Sequence, residues 1–593
     1  MNIMQSIDEI INKYNLEING LTYEEKVKRA IKKILKDIPE DKVVGIKGAG
    51  EHTAELLEMA GDFFEPQYIF NKANKKIEMA CFAGKTYSIY PDYYINKVDI
   101  DVMVISSFAH RREMADDMKR LAPQIQIIDI YDEVSKIGLE VNTPFYRNAR
   151  DTYENVIYYR NAYHNNANAV NLKNLIVSYL YICDFINYIQ YSKEYIEKKY
   201  RDWEIIEKAL RSIQLLLDEV RNNISSRKQR DIITVWNDQV GYRELQYAPY
   251  MNRKSENSMF FENAYTMTPF TVPTFLEMFQ GLKSLDDGIY YKQFPVFDSC
   301  NSELLEYIEK KGYTFVYIGD DADAKLFSEK YRRDHYAYGS SCIRCIDLLQ
   351  VLLDEECPVC VILHALVETH NPYLSGELDC AKWYEWPRFS GDTEEKAMEQ
   401  MKQSLIYWDK QLNYYMNFLS ENTITIYMSD HGKRFNTQPI YKEATTHLMF
   451  FVVGKDISAQ NIEEMFSIYD YKCLLQAIIE EFLDVKFFCK DYCLMQETNV
   501  FNKGTICYYV ENDVEENGCA FRAVRTKTEL YVKISTGKKY YYILPDEESN
   551  HIREKKYSKR IMELDKLAGD YFDDPRQYEQ ELAFFRNKFE THE

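Results

Sequence analysis

TITIYMSDHGKR, residues 423–434, runs an apolar, β-branched stretch directly into Ser429-Asp430-His431-Gly432. A short apolar run that stops at a turn signal predicts a strand covered on both faces, as in a parallel sheet. Ligands of α/β sheets gather at the carboxyl edge of such strands. A carboxylate beside an imidazole at that edge offers two ligands for a divalent metal. Gly432 lets the chain turn there without a Cβ in the way. Taken alone, the segment also fits a plain strand-end turn with a surface Asp-His pair.

Working outward, DIITVWND (231–238) is a second apolar strand, and it ends in Asn237-Asp238. In FFENAYTMTPFTVPTFLEMFQGL (260–282), Thr271-Val272-Pro273 precedes an amphipathic run. Pro273 suits the first helical turn, so the Thr271 hydroxyl lies at or near a helix N-terminus. Free N–H groups and the helix dipole favour an anion there and help a hydroxyl ionise. A metal touching that oxygen would make it a nucleophile. Singly, these two segments also read as a strand-end acid and an ordinary threonine cap.

The order strand-Asp, Thr-x-Pro-helix, strand-Ser-Asp-His-Gly resembles the alkaline-phosphatase superfamily, in its sulfatase-like branch of sulfatases and phosphoethanolamine or phosphoglycerol transferases. The resemblance covers about residues 230–545. FFENAYTMTPFTVPTFLEMFQG is similar to the branch's nucleophile segment, and ALVETHNPY (365–373) to its substrate segment, with His370 in the matching place. The helix carrying YWDKQL (407–412) precedes the SDHG strand, and FRAVRTKTELYVKISTGKKYYYILPDEESN (521–550) is similar to the closing small sheet. The resemblance implies one divalent ion, Mn, Mg, Ca or Zn, on Asp238, Thr271, Asp430 and His431. Thr271 would be the nucleophile by the sulfatase pattern; the phosphoethanolamine transferases select Thr268 instead, and Thr271 is preferred. His370, His447 and Lys433 would bind the substrate.

True sulfatases carry Cys or Ser followed by x-Pro-x-Arg, whereas this chain reads Thr271-Val-Pro-Thr-Phe275. A threonine alkoxide fits phosphoryl or phosphodiester transfer better. The expected function is therefore a metal-dependent hydrolase or transferase of a small-molecule or glycan-linked phosphate ester or phosphodiester. The alternatives are a sulfuric ester hydrolase (sulfatase) and a non-catalytic binding protein that keeps the fold.

The chain has 593 residues, 46% hydrophobic and 28% charged, so wholesale disorder and collagen-like fibres are excluded. A net charge of −21 disfavours general nucleic-acid or anionic-membrane binding. The N-terminus does not read as a secretory signal. NLIVSYLYICDFINYIQ (174–190) is interrupted by Asp184 and amides, and is expected as a buried helix rather than a membrane span. These readings point to the cytoplasm and to reduced cysteines; the oligomeric state stays open.

The expected architecture is α/β: an N-terminal helical segment (1–40), a Rossmann-like domain (41–149), a helical connector (150–229), a sulfatase-like catalytic domain with a mostly parallel sheet (230–500), and a small sheet with a helix (501–593). KVVGIK (42–47) followed by Gly48-Ala49-Gly50-Glu51-His52-Thr53 fits a phosphate-cradling turn. It resembles Rossmann-like modules accompanying bacterial sugar-modifying enzymes, which implies a nucleotide or nucleotide-sugar ligand at Gly48, Gly50 and His52, and a link to surface glycans. An unliganded packing module is the plainer reading. Cys342-x-x-Cys345 and Cys357-x-x-Cys360 have zinc-site spacing, but the helix between them predicts separated, buried thiols.

Overall fold

The computed structural model describes residues 2–72, 74–107, 111–139, 153–283, 285–287, 302–320, 326–335, 339–365, 368–369, 394–432, 439–497, 520–535 and 537–569. These fall into two compact units, residues 13–207 and the remainder.

The first unit is built on a six-stranded sheet: β1 (Val44–Lys47), β2 (Tyr68–Phe70), β3 (Glu78–Phe82), β4 (Lys85–Tyr90), β5 (Val102–Ile105) and β6 (Gln126–Asp129), in the order β3-β4-β2-β1-β5-β6. All neighbours are parallel except β3 and β4, which pair antiparallel at one edge. The chain moves outward from β1 to one side and then to the other, so the order reverses between β1 and β5, where doubly wound sheets leave a crevice. Helices follow: Glu154–Asn165, Ala169–Tyr181 and Phe185–Glu197. The expected single helix at 174–190 is corrected to two. Cys183 takes a left-handed φ of 58°, and Asp184 caps the second helix by accepting from the N–H of Asn187. A short acid whose side chain satisfies a free N–H starts a helix better than it continues one.

The second unit carries an eight-stranded sheet: β7 (Ile232–Asn237), β8 (Met259–Tyr265), β9 (Thr314–Asp320), β10 (Arg332–His335), β11 (Val359–Ala365), β12 (Ile424–Met428), β13 (Phe450–Val453) and β14 (Gln460–Ser467). The order is β10-β9-β11-β7-β12-β13-β8-β14. Only β13 runs against the rest. Every residue of β7, β11 and β12 is buried, as their unbroken apolar sequences require of central parallel strands. Helix Thr271–Gln280 lies on this sheet with Phe275 stacked on Trp236, ring centroids 4.1 Å apart.

A four-stranded antiparallel sheet follows: β15 (Cys493–Glu497), β16 (Phe521–Arg525), β17 (Glu529–Ile534) and β18 (Lys539–Ile543), then helix Ser558–Leu567. Its apolar face packs with Phe270, Ile440 and Tyr441. The fold is therefore mixed α/β, with a large parallel-dominated sheet and a small antiparallel C-terminal one.

Cys342 and Cys345 are buried on helix Ser341–Asp354 and Cys360 is buried in β11, as expected, but Cys357, just before β11, is exposed, which corrects the expectation of four buried thiols. Among the described residues no helix is long and apolar enough to cross a membrane.

Candidate active site

β7 lies between β11 and β12, so the segments leaving all three strands emerge side by side. Asp238 leaves β7 one residue after its last strand position, and Asp430 and His431 follow β12. One ligand atom from each of Asp238, Asp430 and His431 lies within 4.8 Å of the others, and all three residues are buried. The hydroxyl of Thr271, the first residue of its helix, donates to Oδ2 of Asp238 at 3.1 Å. Three of the sequence-predicted ligands thus converge, with the predicted nucleophile beside them.

The local backbone holds this arrangement. Gln239 takes a left-handed φ of 60°, a strained region for a residue with a Cβ, and its N–H donates to Oδ1 of Asp430 at 3.0 Å. The N–H of His431 reaches the same oxygen at 2.8 Å. A Cβ at Gly432 would overlap the carbonyl of Ala444, so only glycine fits. Asn237 does not join the ligands: its amide accepts from Trp408 Nε1 at 2.8 Å and donates to backbone carbonyls.

The electrostatics fit a cation. Burial above all, and then the charge of Asp238, raise the Asp430 carboxyl to about 7, against the pull of the Gln239 N–H, the Thr271 hydroxyl and His364. Nδ1 of His431 lies 2.8 Å from the carbonyl of Gly432. A carbonyl only accepts, so Nδ1 carries a proton, and Nε2 faces Oδ2 of Asp430 at 3.4 Å. A buried imidazole and carboxylate facing each other beside a second carboxylate offer a donor set suited to a divalent metal.

The other expected residues are placed as follows. Thr268 is buried and donates to Glu497 at the end of β15, a bond that ties the small sheet to the loop before Thr271. His447 lies between the rings of Tyr242 and Tyr265, at centroid distances of 4.3 Å and 4.7 Å. Its Nε2 meets the Glu262 carbonyl at 2.8 Å and its Nδ1 faces Glu443 at 3.4 Å. That hydrogen bond holds the Glu443 carboxyl down at about 2 despite burial, helped by the charges of His447, Arg243 and Arg525. His370 and Lys433 lie outside the described residues. In the first unit, Gly48 has φ 116°, and a Cβ there would meet the Ser106 carbonyl at 2.6 Å. Packing of the chain alone demands that glycine. A Cβ at Gly50 would meet nothing within 4 Å. Burial lowers His52 to about 4, and its Nδ1 meets the Tyr131 hydroxyl at 2.9 Å.

Sequence reasoning missed His364, whose Nε2 lies 3.4 Å from Oδ2 of Asp238. The one available signal was an imidazole inside the otherwise apolar run VCVILHA.

Fold and site together define an α/β protein with a carboxylate, imidazole and hydroxyl cluster at the carboxyl edge of its large sheet. Among solved structures the chain is similar to a 2-O GAG sulfatase, with TM-score 0.46 and 15% identity over 60% of this chain and 94% of that one. It is similar also to a protein of the alkaline phosphatase superfamily from Vibrio parahaemolyticus, with TM-score 0.41 and 13% identity over 62% and 96%. A third is BT4656 in complex with its substrate D-glucosamine-2-N,6-O-disulfate, with TM-score 0.43 and 13% identity over 60% and 99%. Compared with family models and with curated proteins, the sequence matches none.

Proposed function

We propose that this chain is a metal-dependent hydrolase or transferase acting on a phosphate ester or phosphodiester, with Thr271 as nucleophile. The observation that carries the reading is the Thr271 hydroxyl at 3.1 Å from Asp238, within the only group of acidic and histidine ligands found among the described residues.

Asp238, Asp430, His431 and Thr271 would hold one divalent ion. When bound, such an ion supplies a Lewis acid that neutralises ester oxygens and lowers the hydroxyl's pKa. Thr271 forms the new Oγ–phosphorus bond while the ester P–O bond on the far side breaks. The hydroxyl proton passes to Oδ2 of Asp238, and the leaving oxygen takes a proton from water. Water or an acceptor alcohol then displaces the phosphothreonine oxygen; Thr271 Oγ takes back the proton from Asp238, and the attacking hydroxyl gives its proton to the hydroxide left by the first step. The first turn of helix Thr271–Gln280 offers free N–H groups to the anionic substrate. Thr268 serves the reading less well, because its hydroxyl is bonded to Glu497.

Phosphate and sulfate esters share a tetrahedral, anionic centre. Threonine at 271 and phenylalanine at 275 favour the phosphorus ester. The test is turnover of bis(p-nitrophenyl) phosphate and p-nitrophenyl sulfate by the purified chain with Mn, Mg, Ca or Zn. Phosphodiester turnover that disappears in both Thr271→Ala and Asp430→Ala supports the reading. Faster aryl-sulfate turnover transfers the site to sulfatase chemistry. No turnover of either ester leaves the binding-protein alternative. For the first unit, a nucleotide or nucleotide-sugar at the Gly50 turn stays part of the proposal; titration calorimetry with UDP and UDP-glucose tests it.

A further inference from the structure

Asp238 must present one oxygen to Thr271 and keep it there. Its Oδ2 has two neighbours with hydrogen to give: the Thr271 hydroxyl at 3.1 Å and Nε2 of His364 at 3.4 Å. The other ring nitrogen of His364, Nδ1, lies 2.8 Å from the hydroxyl of Tyr317. Both residues are fully buried. A carboxylate only accepts, so Nε2 of His364 carries the proton. Nδ1 of the same ring shares its second hydrogen bond with the Tyr317 hydroxyl. The chain of hydrogen bonds links Tyr317, His364 and Asp238.

The sheet is built to allow this contact. Ile362 of β11 pairs with Tyr317 of β9, and Leu363 pairs with Ile318. Continuing that register by one residue sets Gly319 beside His364, on the sheet face that bears Tyr317. A Cβ at Gly319 would overlap the Tyr317 hydroxyl and ring. The missing side chain lets Tyr317 lie along its own strand toward the carboxyl edge, where His364 waits. The rings of Trp236 and Phe275, at 5.5 Å and 5.9 Å from the imidazole, close the surroundings and exclude water. In such low-dielectric surroundings a hydrogen bond orients its partners more firmly. The guanidinium of Arg344 anchors the strand by donating to the carbonyl of His364 at 2.6 Å.

We propose that Tyr317 and His364, admitted by Gly319, are positioning residues that hold Asp238 in its metal- and Thr271-facing orientation. The inference rests on the metal reading proposed above. Hydrogen-bonded partners behind a metal ligand fix its orientation, and losing them costs about 10–100-fold in metal affinity.

The test uses the full chain, with Mn²⁺ as probe in titration calorimetry. His364→Leu is expected to weaken Mn²⁺ binding by about 10–100-fold. His364→Gln, whose amide N–H can still reach Asp238, is expected to restore most of the affinity. Tyr317→Phe and Gly319→Ala should each weaken binding by less than His364→Leu. Wild-type affinity in His364→Leu overturns the inference and leaves the metal reading intact. No Mn²⁺ binding by the unmutated chain overturns both. Nitrogen NMR of histidine-labelled, metal-free protein needs no variant to fold: a proton on Nε2 of His364 supports the hydrogen bond to Asp238, and an unprotonated Nε2 overturns it.

Discussion

The Thr271 hydroxyl hydrogen-bonds Oδ2 of Asp238 at 3.1 Å across 33 residues of sequence, joining the first turn of a helix to the end of the central strand β7. Thr268, three residues earlier, instead bonds Glu497 of the small sheet. The two threonines therefore serve different neighbours, and their substitution should have different consequences.

Thr271→Ala is expected to lower phosphodiester turnover by roughly 10³-fold or more, with little change in melting temperature. Thr268→Ala should keep most of the turnover but melt lower, because it leaves the buried Glu497 short of a donor, at a cost of about 1–3 kcal/mol. Initial rates with bis(p-nitrophenyl) phosphate and scanning calorimetry on both variants decide the assignment. The reverse pattern would make Thr268 the nucleophile.

Asp430 gives a stability test that needs no substrate. Burial and the charge of Asp238 push the Asp430 carboxyl up from 3.8 to about 7 in the folded chain. Between those values the folded state keeps a proton that the unfolded state has released, so metal-free stability falls as pH rises through that window. Asp430→Asn removes the charge. At about pH 8 the metal-free variant should melt above the wild type by a few degrees, at roughly 2–4 °C per kcal/mol, and the gap should close toward about pH 4. A variant that melts below the wild type at both pH values would contradict the electrostatic account.

Metal should reverse that penalty. Protons and a cation compete for the same carboxylate, so binding strengthens as Asp430 ionises. Mn²⁺ is expected to raise the melting temperature more at about pH 8 than at about pH 6, and excess chelator should abolish the rise. At 100-fold excess over Kd the stabilisation amounts to about 2.7 kcal/mol. Equal shifts at both pH values would argue that the ion binds elsewhere.

Two glycines should respond in opposite ways. Gly432→Ala forces a Cβ into the Ala444 carbonyl, displaces the Asp430–His431 turn and should cost about 1–3 kcal/mol along with most of the activity. Gly50→Ala meets nothing within 4 Å and should leave stability within about 0.5 kcal/mol. Melting curves of the two variants, side by side, check this.

Much of the large sheet could be read from local pattern, because its central strands are long apolar runs with few alternatives. IITVW and ITIYM become buried parallel strands of that sheet as their composition requires, and VGIK does the same in the six-stranded one. Two strands lack such unbroken apolar runs: QNIEEMFS in β14, at the sheet edge, starts exposed and ends buried, and MFFENAY in β8 is only partly buried. The helix expected across 174–190 failed for a local reason, since Asp184 satisfies a free N–H and so begins a new helix.

By itself the sequence determined which residue types could carry the chemistry: a Ser-Asp-His-Gly turn after one strand, an acid after another, and a threonine ahead of a helix-starting proline. Each of these signals spans only a few residues, a range over which local sterics and hydrogen bonding decide the backbone. Only the tertiary structure decided that Asp238 and Thr271 meet, that Thr268 turns to Glu497, and that His364 stands behind Asp238 with Tyr317 reaching it over Gly319. Strand order and register set those contacts, and both follow from the packing of segments far apart in the chain.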